Sequence, residues 1–256
     1  MLPVRRSTVD SANADFVEDD ARRNETNTAW IGRQRADDPG FAQAGDVVLL
    51  GGASLADFRL RIAQSHARDD LTPSYWSLVG VIRPDGRMLT APLWPLTSPE
   101  RIPVTNGIRS LALSRFANPR TWPNIAVIRF PGTQQDPVEC INRLASQRSI
   151  VDIPSLVLPW LGFVWGSGAS GNPLLNGFGI PSAVLVETAF GLAEVELTPG
   201  LATASSCPEA IYQAAKWWHL YYQESAGVAD GATHHPVGRF VLRQREASYR
   251  EPAGGI

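Results

Sequence analysis

Residues 75–91 read YWSLVGVIRPDGRMLTA, and this stretch sets the fold class. Tyr75 to Ile82 is an apolar, β-rich run, Pro84-Asp85-Gly86 supplies turn chemistry, and Arg87 to Ala91 resumes the run, which predicts a hairpin. Upstream, Asp46 to Leu50 is a short apolar run ended by Gly51-Gly52, a buried strand and a turn. Between the two, Ser54 is placed to cap a helix whose apolar positions Leu55, Phe58 and Ile62 recur at spacings of three and four. Downstream, Asn124 to Phe130 predicts another strand between Pro123 and Pro131.

Helices dominate the later half. Asp136 can accept from first-turn amides, Pro137 suits the first helical position, and Val138, Ile141, Leu144 and Ala145 form the buried stripe. Ser182 to Gly191 reads as a second helix after a Gly/Ser loop at 166–171. Ser206-Cys207-Pro208-Glu209 has the form of a capping box opening a third, with Ile211, Ala214, Ala215, Trp218 and Tyr222 on one face. His234 to Leu242 ends the pattern as a strand, and Asn106 to Phe116 fits strand and helix equally. Strands first and helices later predict an α+β layering. The expected domains are a flexible arm over 1–44, an α+β domain over 45–245 and a flexible tail over 246–256. The arm is polar with isolated apolar anchors, so it cannot repay its own ordering unless it docks, and Trp30-Ile31 is the place where it would.

The chain of 256 residues is 44% hydrophobic and 19% charged, with a net charge of −2. That balance leaves no strong electrostatic footprint for nucleic acid or anionic lipid. Lys216 is the only lysine. Cys140 and Cys207 make neither a disulfide framework nor a four-cysteine zinc site. His234 and His235 with Asp230 lack a fourth ligand, and no cofactor fingerprint is present, so no metal or cofactor is expected. Met1 to Asp20 has no apolar core of a signal peptide, which makes a cytoplasmic location the default. Ile153 to Trp165 is apolar but only 13 residues long and holds two prolines, too short and broken to span a bilayer.

The order of these pieces resembles the circularly permuted branch of the NlpC-type papain-like hydrolases. The likeness covers about residues 45–195: Gly45-Asp46 before a strand, Ser77-Leu78-Val79-Gly80 in the next, Asp85-Gly86 to Ala91 after it, the strand from Asn124, and Ser182 to Glu187 at a helix start. In that family a cysteine attacks an amide or ester carbonyl, a strand histidine takes its proton, and a third polar residue orients the imidazole. The resemblance puts Ser182 at the cysteine position, Leu78 at the histidine position and Thr90 or Ala91 at the third. It therefore implies a papain-like antiparallel sheet packed against helices, with the catalytic positions replaced. A serine at a helix start keeps its proton without a base, and leucine is no base.

Three functions follow as expectations. The first is a degenerate binding or scaffold module, whose cleft lies between Ser182 and the Leu78 strand and whose ligands are the family's classes, peptides, peptidoglycan or acyl lipids. The second is an active hydrolase with Cys207 as nucleophile and His234 or His235 as base, or Ser182 with an unrecognised base; the plain role of Ser182 is an N-cap, and that of Cys207 a small buried hydrophobe. The third is an adaptor subunit docked on a protein partner through residues 1–44. Trp76, Trp160 and Trp165 are the candidate ligand-contacting aromatics, and Trp217, Trp218, Tyr221 and Tyr222 form either core or an exposed patch. His66 and His219 stand alone, and His219 belongs to this aromatic helix.

Overall fold

The chain enters its fold well before Gly45. Phe16–Glu18 (β1) pairs with Val237–Leu242 (β7), and Asn27–Asp37 (α1) covers one face of the sheet. The structure is a computed structural model that describes residues 16–93, 107–132, 136–146, 153–166, 171–225 and 235–246. Thr26 caps α1 by accepting from the Ala29 N–H. Trp30 is fully buried and donates its indole N–H to Asp19 at 2.7 Å, while Asn27 donates to the carbonyls of Phe116 and Trp122. These anchors overturn the expectation of a flexible arm from residue 16 onward. Burial of Phe16, Trp30 and Ile31 is what offsets the ordering cost. Residues 1–15 lie outside the described residues, as does the expected tail beyond Glu246.

The remaining elements are Val47–Gly51 (β2), Leu55–Ala63 (α2), Leu78–Ile82 (β3), Arg87–Thr90 (β4), Arg109–Ala112 (β5), Asn124–Arg129 (β6), Pro137–Ser146 (α3), Ile153–Trp165 (α4), Pro181–Leu192 (α5) and Pro208–Ser225 (α6). The expected hairpin is present, with Gly86 supplying the positive φ of 74° at its turn. The stretch that fitted two readings becomes β5 followed by a short 3-10 turn over Leu113–Phe116.

The seven strands form one sheet in the order β1-β7-β6-β2-β3-β4-β5. Every pairing is antiparallel except β1 with β7, so the sheet is mixed rather than wholly antiparallel. One face carries Val47, Leu49, Val79, Val81 and Ala126 against α3, α5 and α6. The other carries Val48, Leu50, Leu78, Ile82 and Ile125 against α1, Phe41, Phe116 and Trp122. Covering both faces explains why β2 and β3 are buried along their whole length. A third cluster joins α2, α4 and the start of α6 through Leu60, Trp160, Val164, Ile180 and Cys207. The class is α+β.

The helix α2 buries Leu60 and Ala63 rather than the Leu55 and Ile62 of the sequence expectation. Ser54 does cap it, accepting from the Asp57 N–H. Yet its buried positions include Asp57 and Arg61, while Leu55 and Ile62 stand exposed.

Candidate functional site

Ile180 is the N-cap of α5 and Pro181 opens the helix, so Ser182 lies inside the first turn, where the helix meets β3, and is not the N-cap expected of it. Ser182 is 1% exposed, and its Oγ accepts from the Val79 N–H at 3.4 Å. Thr90 Oγ1 donates to the Val79 carbonyl at 2.6 Å. The β3–β4 ladder runs over Ile82↔Met88 and Val81↔Leu89 and stops there. At Val79 the two hydroxyls therefore engage the backbone groups that a longer ladder would pair. The structure brings Ser182 and Thr90 to one strand residue, in the service of the sheet's own hydrogen bonding.

Leu78 is not part of this arrangement. Side chains alternate along β3, so Val79 and Val81 turn toward α5, and Leu78 turns to the opposite face among Trp30, Val48 and Leu50. Leu78 and Ser182 thus lie on opposite sides of the sheet. The expectation of a shared cleft between them is overturned, and position 78 does not address the Ser182 hydroxyl.

Cys207 is buried, with its sulfur at the Glu209 and Ala210 amides that open α6. Those amides favour the thiolate, but burial outweighs them, and the thiol is pushed up to about 12. His235 stands at the other end of the same helix, its ring 5.3 Å from that of His219. Twelve residues of α-helix separate Cys207 from His219, about 18 Å along the axis. Cys207 and His235 form no dyad, while His234 and Asp230 lie outside the described residues. Ser206, expected to close a capping box, instead donates to the Glu187 carboxylate at 3.1 Å. Among the described residues no group of three His, Cys, Asp or Glu side chains could hold a metal ion.

The candidate aromatics divide. Trp76 and Trp160 are wholly buried, and Trp160 donates its indole N–H to the Gly179 carbonyl at 2.7 Å, so both are core residues rather than a binding wall. Trp165 is 58% exposed. Trp217 and Tyr221 are half exposed and stack on each other at 5.3 Å.

A buried polar cluster that the sequence reading missed fills the space between α2, the 68–77 connection and the start of α6. Asp57 accepts from Ser77 at 2.7 Å and from Ser54 at 2.5 Å, and Ser77 accepts from the Gly52 N–H at 3.0 Å. Arg61 is 0% exposed and donates Nε–H to the Ser74 carbonyl at 2.6 Å; its Nη1 and Nη2 have no hydrogen-bond partner among the described residues. Glu209, also buried, accepts from Ser74 at 2.6 Å and Gln213 at 2.6 Å, and its N–H donates to Gln64 Oε1 at 2.9 Å. Arg68 pairs with Asp70 at 2.8 Å and with Glu209 at 3.5 Å. Burial pushes Asp57 up against the pull of its serine donors, and pushes Arg61 down against the attraction of Asp57 and Glu209. Charges of both signs lie together here, and the bonds from Ser74 to the Glu209 carboxylate and from the Glu209 N–H to Gln64 join the 68–77 connection and the end of α2 to the start of α6. Asp57 and Arg61, four apart on a helix, read in sequence as an ordinary exposed pair, so periodicity gave no signal.

A further buried carboxylate, Glu187 of α5, accepts from Thr198 at 2.6 Å as well as from Ser206, and burial pushes it up. Comparison with known proteins returns no matching family profile, no matching curated protein and no matching solved structure.

Proposed function

We propose that this chain is a binding or scaffold module on a frame related to the permuted papain-like hydrolases, and that it does not run their cysteine–histidine chemistry. The observation that carries this reading is the state of Ser182. Its hydroxyl is buried and engaged with a strand amide, and the strand side chain expected to face it points through the sheet. Proton transfer needs a base within hydrogen-bond reach of the nucleophile, directly or through one water. Leu78 offers none. The other nucleophile, Cys207, is held as a thiol by burial, at the far end of α6 from His235. The likeness to the family rests on the order of elements alone, since Leu78 does not face Ser182 as that family's histidine would face its cysteine; the ligand classes carried over from it are peptides, peptidoglycan fragments and acyl lipids.

The test uses the full chain. A fluorophosphonate and iodoacetamide are each incubated with native protein, and adducts are read by intact mass. The expected result is no stoichiometric adduct while folded, with Cys140 and Cys207 alkylating once the chain is denatured. A stoichiometric native adduct at Ser182 or Cys207 overturns the reading. For the binding half, muropeptides and fatty-acyl amides are screened by thermal shift, where a ligand at 100 times its Kd adds about 2.7 kcal/mol. Raised melting temperature without turnover supports a binding module; turnover of the added compound refutes it.

A further inference from the structure

The helix α4 has no ionisable side chain in its 13 residues, IPSLVLPWLGFVW. A helix apolar all round normally belongs in an interior. Here one side is buried: Trp160 and Val164 pack with Leu60 and Ala63 of α2 and with Leu174 and Ile180. The opposite stripe, at spacings of three and four, is Leu158, Leu161, Gly162 and Trp165, with Leu158 70% and Trp165 58% exposed. Its surroundings continue the pattern. Leu55 and Ile62 of α2 are exposed one heptad apart, and between them on the same stripe Arg59 donates to the Val164 carbonyl at the end of α4. Leu175 and Phe178, in and just after the 3-10 turn over Pro173–Asn176, are exposed as well.

The charge of this region is as informative as its apolarity. Over α2, α4 and the 173–176 turn the ionisable residues are Asp57, Arg59 and Arg61, and of these Asp57 and Arg61 are buried in the polar cluster. Arg59 is the one charge those elements present outward, and it is positive. A protein partner normally asks for hydrogen bonds across an interface and a polar rim, whereas the outward positions Leu158, Leu161, Gly162 and Trp165 of α4 offer no charge and, as a side-chain donor, the Trp165 indole N–H alone. A hydrocarbon surface asks for neither. A tryptophan and an arginine together at one end of the apolar stripe match the depth at which such side chains anchor in the lipid headgroup region.

We propose that α4, flanked by the outer stripe of α2, is a docking face for a lipid surface. The helix is about 20 Å long, too short to cross a bilayer and long enough to lie in its interface; no helix among the described residues is long and apolar enough to cross one. Leu158, Leu161 and Trp165 enter the acyl boundary, and Arg59 meets anionic headgroups. This inference stands apart from the reading of Ser182, which faces β3.

The test is co-flotation of the full chain with vesicles of phosphatidylcholine alone and with 30% phosphatidylglycerol (roughly physiological anionic content), alongside size-exclusion mass in the absence of lipid. Leu158→Glu and Trp165→Glu are compared with Leu192→Glu, an exposed position on α5 outside this face, and circular dichroism melts verify that each variant folds. The expected result is a monomer that floats with vesicles, more strongly with the anionic lipid. Both face variants should lose at least tenfold in partitioning, and Leu192→Glu should match the parent. Absence of flotation with both vesicle types overturns the proposal. So does equal flotation of the face variants. A lipid-free dimer that Leu158→Glu and Trp165→Glu dissolve overturns it in favour of a second copy of the chain as the occupant.

Discussion

Ser182→Ala separates a structural hydroxyl from a catalytic one. The substitution deletes the acceptor of the Val79 N–H and leaves that amide buried, since Val79 lies within the covered part of β3. A buried donor left unpaired costs about 1–3 kcal/mol, and a bond as long as 3.4 Å places this case at the low end, about 1 kcal/mol. For a domain of this size 1 kcal/mol corresponds to about 2–4 °C in Tm. Thr90→Val, nearly isosteric, removes the 2.6 Å bond to the Val79 carbonyl and should cost about 1–2 kcal/mol. The two hydroxyls serve one residue, so their effects should not add. A double-mutant cycle in urea should give a coupling of at least about 0.5 kcal/mol. The assay is equilibrium unfolding by far-ultraviolet circular dichroism, with both single variants and the double. Wild-type stability in Ser182→Ala would refute the structural role. Loss of a hydrolytic activity at unchanged stability would show that the hydroxyl reacts.

Trp30→Ala should cost about 3–5 kcal/mol and lower Tm by 10 °C or so, because the indole is fully buried and bonded to Asp19; a near-neutral melt would restore the flexible-arm expectation. Gly51→Ala should destabilise by at least about 1–3 kcal/mol, since a Cβ there would stand 1.9 Å from the Tyr75 carbonyl oxygen; an unchanged melt would refute the packing of β2 against that carbonyl. Glu187→Gln should raise Tm at neutral pH. Burial lifts the folded carboxyl above its unfolded value, so folding takes up protons and stability falls as pH rises from the ordinary carboxylate range through the raised value. The amide keeps an acceptor for Thr198 and Ser206, and its advantage should shrink toward pH 4; a variant destabilised equally at all pH values would contradict the burial argument.

The hairpin at 75–91, the cap at Ser54, the proline-led start of α3 and the strand before Pro131 were legible because each depends on residues adjacent in sequence, whereas α5 takes Ile180 rather than Ser182 as its cap. The facing of Leu78 was not. A half-buried strand alternates apolar with polar and so reveals which side is inward, but LVGVI is covered on both faces and reads as a continuous apolar run. Parity then has no sequence signal, and a one-residue error sends a proposed catalytic position through the sheet. The N-terminal segment was misread for a related reason. Phe16 is one aromatic in a polar stretch, and its value lies in Tyr212, His219 and Phe240, about 200 residues away, whose rings lie 5.7, 5.8 and 5.7 Å from its own. Composition cannot register a contact of that range.

The helix α2 joins the two less expected features of the molecule. Its inner side carries Asp57 and Arg61, and its outer side Leu55 and Ile62, the reverse of a helix that turns water outward. The inner charges persist because serines, a carbonyl and the start of α6 meet them; Asp57 without Ser54 and Ser77 would be an ion in a core with no donors, an arrangement costing several kcal/mol. With Asp57 and Arg61 committed inward, the outer stripe is left to Leu55 and Ile62 with Arg59 between them, and α4 beside it has no charge to add. A solvated surface would gain from charged side chains at the two aliphatic positions, each 41% exposed. An outer face assembled from both helices in this way is therefore intelligible as a face that meets something other than water.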